Sequence, residues 1–369
     1  MNLFWIMIVA LAVSVAQAIL FHRLGLSKIS YTRYFNRSCA NEGDKIELVE
    51  IIQNAKLLPV PWLRAESRIS PNLRFSRDAV SEERQISANR YHRSNFYLSA
   101  FSQIRRRHSI TCLKRGHYEA GSVVLAAGDL FALVQREKQL NMPCAIDVYP
   151  RLLSEDELDA PCTRWQGDLM VKRWIMPDPF MTSGVRDYRA GDPMRDIHWR
   201  ATARTGALQV KIRDYTADPR MMVILNVQNS ELQWGELMDY EQEGIEQGIR
   251  IAATLCMRAL SSGVEAGFGS NGCLYGEEGS GQCVLLPSRG GSEQSEALLQ
   301  TMARLEIRKE KPFETYLESL MHLSGEDILI LSTYDSEKIR ACMEKMRQMG
   351  NSVTFMQLER GHRNHAENH

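Results

Sequence analysis

The 369-residue chain has no net charge, with 45 Lys and Arg against 45 Asp and Glu. No overall field draws it to nucleic acid or lipid, so any such attraction has to come from a local patch. No nucleic-acid partner is expected. The chain also lacks paired-cysteine motifs. Cys39, Cys112, Cys144, Cys162, Cys256, Cys273, Cys283 and Cys342 are scattered without a CxxC, which removes zinc-knuckle spacing. A chain of this length builds its core without disulfides, and unpaired thiols fit a reducing compartment. Leu3 to Phe21 lacks charge altogether, and its only polar side chains are Ser14 and Gln17.

At about 1.5 Å per residue, that apolar run nearly matches a hydrocarbon layer of about 30 Å. Ala16-Gln17-Ala18 resembles a signal-peptidase site. However, no Lys or Arg precedes the run, and it continues through Ile19, Leu20 and Phe21. An uncleaved anchor over residues 1–23, with the bilayer contacted through 3–21, is the expectation. Arg23, Lys28, Arg33 and Arg37 follow it. By the positive-inside rule they place the downstream chain in the cytoplasm, as a single-pass membrane protein.

The length implies two folded units behind the anchor. Residues 27–165 read as a small β-sandwich, because several short alternating segments are separated by turn signals. "KIELVEIIQN" follows Gly43-Asp44, and Pro59 and Pro61 suit an edge strand or the start of one. Arg105, Arg106, Arg107, Lys114 and Arg115 form a basic run, read as the solvated face of a hairpin. Residues 219–360 change period. "RMMVILNVQ" and "EDILILST" are continuous apolar runs, as in strands buried on both faces, and helix-spaced segments lie between them. Strand alternating with helix implies a doubly wound parallel sheet. Residues 361–369 are polar and end the chain as a disordered tail.

Between the units, residues 180–215 hold the densest charge. Arg186, Asp187, Tyr188, Gly191, Asp192, Arg195, Asp196, His198, Trp199, Arg204 and Gly206 all lie there. Asp192-Pro193 is a good helix start, with Asp as cap and Pro at the first turn, and Gly206 can end the helix in a left-handed conformation. Asp196 and Arg200 are spaced to pair on its surface. A catalytic reading with His198 as base lacks a nucleophile, since Thr202 and Thr205 have no evident base partner. The reading ranked first is a buried Arg/Asp lattice that fastens the helix in place, with Trp199 buried beside it. An interaction surface ranks second, and catalysis third.

Gly184 to Lys211 resembles the signature of the bacterial and archaeal family called domain of unknown function 58. The matching residues are Arg186-Asp187-Tyr188, Gly191-Asp192, Arg195, Ile197-His198-Trp199 and Ala203-Arg204-Thr205-Gly206. The resemblance implies a membrane-anchored protein with a β domain and a von Willebrand A-like domain. It also implies MoxR-type AAA+ ATPases and transglutaminase-like membrane proteins as partners, and a role in complex assembly. Von Willebrand A domains bind a divalent cation through Asp-x-Ser-x-Ser, since hard oxygen ligands suit Mg²⁺. Here Asn226 replaces the Asp, Gln228 the first Ser, and Ser230 is kept, with Thr333 and Asp335 after the later strand. No metal and no cofactor are expected. The function expected is a non-catalytic membrane-anchored scaffold. The alternative is a metal- or anion-dependent ligand-binding protein or hydrolase working through Arg186 to Arg204.

Overall fold

The computed structural model describes residues 2–76, 81–86, 89–129, 134–158, 165, 182–189, 192–213, 220–233, 235 and 237–359. The tail at 361–369 and Gly191 lie outside the described residues, as does the side chain of Arg195. The chain forms two compact units, Met1–Arg151 and Leu152–His369.

The first unit begins with helix α1, Asn2–Leu24. Phe4–Leu24 has a mean hydropathy of 2.4 and is long and apolar enough to cross a membrane. Its side chains are exposed along most of its length. At its end Phe21 is buried and packs among Tyr31, Ile52, Val60 and Leu98. Among the described residues twelve strands follow. They are β1 (Ile29–Phe35), β2 (Cys39–Asn41), β3 (Lys45–Asn54), β4 (Val60–Ile69), β5 (Leu73–Phe75), β6 (Ser81–Ile86), β7 (Asn89–Leu98), β8 (Gln103–Cys112), β9 (Gly116–Glu119), β10 (Ser122–Gly128), β11 (Gln135–Asn141) and β12 (Ala145–Tyr149). They form sheets in the orders β1-β3-β8-β5, β11-β10-β4-β7-β6 and β2-β12-β9. Side chains that alternate along a strand put one face inward, and β1 and β8 show that alternation. Pro59 and Pro61 lie where β4 begins, and the β4–β7 register shifts between Val60 and Leu63. The missing amide hydrogens therefore fall at a ladder irregularity, although β4 is central in its sheet.

The second unit takes in residues that the sequence reading assigned to the β domain. Leu153, Leu158 and Trp165 are buried in the α/β core. The amide of Leu153 donates to Thr254 Oγ1. The reason is chemical: these apolar side chains follow the last β strand without alternation and find cover on a helix.

Two strands, β13 (Thr182–Asp187) and β14 (Gln209–Arg213), form an antiparallel pair. Helix α2 (Trp199–Thr205) lies in the connection between them. The remaining strands are β15 (Arg220–Leu225), β16 (Glu265–Ser270), β17 (Gly272–Leu274), β18 (Val284–Arg289), β19 (Leu305–Lys309), β20 (Glu326–Ser332) and β21 (Ser352–Gln357). The helices are α3 (Asp239–Ser261), α4 (Ser292–Arg304), α5 (Phe313–Ser319) and α6 (Glu337–Gln348). The main sheet has the order β18-β16-β15-β20-β21. Its strands run parallel except for β18, which pairs antiparallel to β16.

The continuous apolar run in β15 is explained by cover on both faces. Met221, Val223 and Leu225 pack with Ile245, Ile249 and Cys256 of α3. Met222 and Ile224 pack with Phe313 and Leu317 of α5 and Met346 of α6.

Gly267 of β16 faces the backbone of β18. A Cβ there would lie 2.7 Å from Ser288 N and 2.8 Å from Leu286 O. Backbone cannot rotate away as a side-chain tip can, so Gly267→Ala is overpacked. It is expected to destabilise the unit by about 1–3 kcal/mol, read as a lower melting temperature by calorimetry. Unchanged melting would show that the edge strand yields freely.

Candidate functional site

The signature segment is built on the β13–β14 pair. Arg186 lies opposite Val210, and Asp187 opposite Gln209. The returning connection then forms an isolated antiparallel bridge from Ile197 to Val210. Both of these side chains are buried. That bridge splits the helix expected over Pro193 to Arg204. Pro193 is extended, at ψ 132°, and Met194–Asp196 make one 3₁₀ turn. The α-helix starts only at Trp199, with His198 as its cap. Burying Ile197 against Val210 outweighs local helix preference. Asp192 is therefore not the helix cap. The end of the helix is as expected, since Gly206 has φ 73° and its amide donates to Thr202 O.

Asp192 does other work. Arg186 Nη1 and Nη2 donate to its two carboxylate oxygens, each at 2.7 Å. The amide of Arg189 donates to Asp192 Oδ2 at 2.8 Å. These bonds hold the Asp192 carboxyl well below the usual carboxylate range, at about 2, with the Arg186 hydrogen bonds the main cause. The pair is only partly buried: the Arg186 side chain is 40% exposed and that of Asp192 16%. Gln209 Nε2 donates to Asp187 Oδ1 at 2.5 Å. The expected buried lattice is therefore a surface fork that shapes a loop.

Trp199, expected to be buried, is 64% exposed, because α2 has no buried residue at all. Arg200, Ala203 and Arg204 are exposed on the same helix, and Tyr188 is half-buried. His198 is held as a cap, its Nδ1 accepting from the amide of Ala201. Thr202 Oγ1 accepts from the amide of Gln209, and Thr205 Oγ1 donates to Ala201 O. Both hydroxyls serve the backbone, so neither stands against His198 as a nucleophile. The Nη1/Nη2 edge of the Arg186 guanidinium is occupied by Asp192.

The degenerate metal positions separate into two groups. Asn226 and Gln228 are buried at the end of β15, inside a closed network of amides. Asn226 Nδ2 donates to Ser332 Oγ at 3.0 Å. Asn271 Nδ2 donates to Gln228 Oε1, which also accepts from the amide of Phe313. Thr333 Oγ1 donates to Gln228 O. Ser230 and Asp335 are exposed; only the Ser230 carbonyl touches this network, accepting from Gln228 Nε2 at 3.5 Å, and Asp335 is taken by Arg340. A hard cation needs converging oxygens, preferably charged. This crevice instead turns an amide nitrogen inward and holds its oxygens in hydrogen bonds, so the residues do not fit Mg²⁺.

The sequence reading missed a polar cluster in the sandwich core. Along one inner row, Arg33 of β1, Glu50 of β3 and Arg106 of β8 are direct cross-strand neighbours. Glu50 is 1% exposed. Tyr31 OH donates to its Oε1 at 2.7 Å, and His108 Nε2 meets its Oε2 at 2.8 Å. From the facing sheet, Ser94 Oγ lies 3.1 Å from His92 Nε2 and 3.5 Å from His108 Nε2. Phe75 stacks on His92 with ring centroids 4.1 Å apart.

The donor atoms of Glu50, His92 and His108 lie within 4.8 Å of one another. A histidine-carboxylate trio of that kind can hold zinc. Here both carboxylate oxygens already accept hydrogen bonds, and Arg33 and Arg106 flank Glu50. The positive charges of Arg33 and Arg106 already act on His92 and would oppose a divalent ion, so we read the cluster as structural. Burial would raise the Glu50 pKa, but the hydrogen bonds and charge of His108, with the Tyr31 bond, bring it down to about 2. Burial pushes His92 down to about 4. The inward positions could have been found from alternation along β3, β7 and β8, but not that they converge.

Residues 184–324 match the family model described as protein of unknown function DUF58, the family that Gly184 to Lys211 resembles. None of the curated proteins matches the chain. Among solved structures, a non-cellulosomal cohesin from the archaeon Archaeoglobus fulgidus is 10% identical, covering 35% of this chain and 94% of its own, with a TM-score of 0.23. The sixth cohesin from Acetivibrio cellulolyticus scaffoldin B is 7% identical, covering 32% and 99%, with a TM-score of 0.23. The PapD-like domain 7 of human CEP192 is 8% identical, covering 34% and 87%, with a TM-score of 0.23. Likenesses at that score carry no argument about this chain.

Asp192→Ala removes the partner of Arg186 and of the Arg189 amide, and is expected to lower the melting temperature of the second unit. Trp199→Ala changes an exposed side chain and should stay within about 0.5 kcal/mol of the parent. A large loss from Trp199→Ala in calorimetry would contradict its exposed position. A second expectation concerns acid. Unfolded histidine binds its proton below pH 6.5, whereas folded His92 does so only below about 4. Acidification across that window therefore favours the unfolded chain, by on the order of 3 kcal/mol in full. Glu50, lowered from 4.5 to about 2, extends the loss below pH 4.5. His92→Phe should flatten the part between pH 6.5 and 4, measured by urea unfolding at stepped pH. An unchanged slope would show that His92 does not set it.

Proposed function

The chain carries the DUF58 family's domain over residues 184–324, and from that premise we propose that it is a non-catalytic, membrane-anchored scaffold. Helix α1 anchors it, and both units work on the cytoplasmic side. The second unit is von Willebrand A-like in arrangement, with parallel strands and helices on both faces. It recruits a MoxR-type AAA+ ATPase during complex assembly, alongside a transglutaminase-like membrane protein.

One observation carries this reading: no side chain of α2 is buried, yet the helix is held in place at its start. Such a helix contributes no core. It presents Trp199 with Arg200 and Arg204 beside it, residue types enriched at protein interfaces. The loop before it is pinned by the Arg186–Asp192 fork, and its start by the Ile197–Val210 bridge, so little ordering cost is left for binding. The amide network at the end of β15 and the backbone-bound threonines agree with a scaffold rather than a hydrolase.

A photocrosslinking residue in place of Trp199, in the full chain in cells, tests the proposal. Adducts with an AAA+ ATPase are expected at position 199 and not at exposed Lys45. Arg200→Ala with Arg204→Ala should cut the yield about tenfold, the factor that accompanies 1.4 kcal/mol. No ATPase at position 199 above the Lys45 background would overturn the assignment.

A further inference from the structure

Three turns are knitted together where α1 meets the β unit. Lys56 Nζ donates to the carbonyls of Leu24 and Gly25, closing the end of α1. The amide of Ala55 donates to Lys28 O at 3.0 Å, and that of Phe101 to Lys56 O at 3.1 Å. Buried Asn54 joins the other two, its Nδ2 donating to Leu58 O and Ser99 O. The turns at 24–28, 55–59 and 99–102 are therefore one platform.

Its exposed residues are the opposite of what water favours. Leu57 is 76% exposed and Phe101 70%. A mostly apolar groove here is lined by Leu20, Leu24, Leu57, Leu58 and Pro59, together with Ser27, Lys28 and Lys56. Among the described residues, the non-glycine positions with positive φ are Lys28 at 49° and Phe101 at 48°, and both are on this platform. A bulky residue held in that region is a strained arrangement, and here it accompanies an aromatic ring pointing away from the core. Arg23 and Lys28 are exposed around the same end.

Depth follows from the helix. Leu20 belongs to the uncharged run, and it walls the groove together with Leu24. One helical turn separates the two, about 6 Å. The 55–59 turn thus reaches back along α1 to the level of its apolar stretch.

We propose that this end of the β unit is seated in the bilayer that holds α1. Leu57 and Phe101 enter the acyl-chain boundary, and Arg23 and Lys28 meet anionic headgroups. This rests on the reading that Phe4–Leu24 spans the membrane. Apolar anchors with flanking cations are the arrangement that binds the interface of an anionic membrane. The seat would hold the β unit at a set height and orientation on the membrane, rather than let it swing from α1.

The test uses the full chain in nanodiscs of three parts phosphatidylcholine to one part phosphatidylglycerol. A photocrosslinking residue is placed singly at Leu57, Phe101, Leu11 and Lys45, all exposed positions. Lys45 begins β3, whose other end is Asn54 at the platform, so it is about 30 Å away at the rise of a strand. Lipid adducts are expected at positions 57, 101 and 11 and not at 45. Adducts at 11 with none at 57 and 101 above the level at 45 would overturn the seat while leaving the anchor intact. No adducts at position 11 would overturn the spanning reading and the seat with it.

Discussion

A carboxylate cannot stay charged between two sheets unless something compensates it, and Glu50 is such a carboxylate. Leaving it alone there would cost more than one domain's typical margin of stability. The fold answers with a hydrogen bond from a tyrosine on the next row and one with an imidazole on the diagonal. The polar row lies between two apolar clusters, one around Ile46, Leu48 and Ile110 and one around Ile52, Leu63 and Phe96. The cluster beyond the row includes Phe21 of α1. Strand register is therefore specified twice in this unit, by which side chains are apolar and by which must reach Glu50. A slip of one residue would expose the apolar face and strand the charge at the same time. That double specification keeps the turns at the end of α1 in their places.

The same demand shapes the second unit with different chemistry. Asn226, Gln228 and Asn271 are buried where the parallel strands end, a position that hosts ligands in many open sheets. Here the amides satisfy one another and the backbone of Phe313. What a carboxylate would leave as charge seeking a cation, an amide leaves as a donor seeking an oxygen. Charge is concentrated instead on the signature segment. There it stays at the surface and sets loop shape, while the short helix it steadies offers Trp199 outward.

Much of this was legible in the residues. The apolar run, the alternating first half and the buried strand–helix alternation of the second half each correspond to elements in the structure, because each depends on local periodicity. Gly206 was legible as a helix end, since only a glycine takes φ 73° there without strain. The Asp192-Pro193 start was misread. Capping preference is local, whereas the Ile197 bridge to Val210 is a contact across the connection that local preference cannot reveal. Trp199 was misread for a related reason. Its type suggests burial, but α2 is too short and too far out on the β13–β14 pair to have a buried face.

Composition, period and spacing by themselves determined the anchor-like helix and the order of β before α/β, while the family signature, and the missing carboxylates at Asn226 and Gln228, were read through a resemblance. These follow from properties of neighbouring residues along the chain. Only the tertiary structure decided that Leu153 and Trp165 serve the second unit, that Asp192 forks with Arg186 at the surface, and that Glu50, His92 and His108 converge inside the first. It alone brought Leu57 and Phe101 to the end of α1. Each of these depends on strand register and on which turns share an end of a sheet. Those contacts link residues tens of positions apart, where no periodicity in the chain records them.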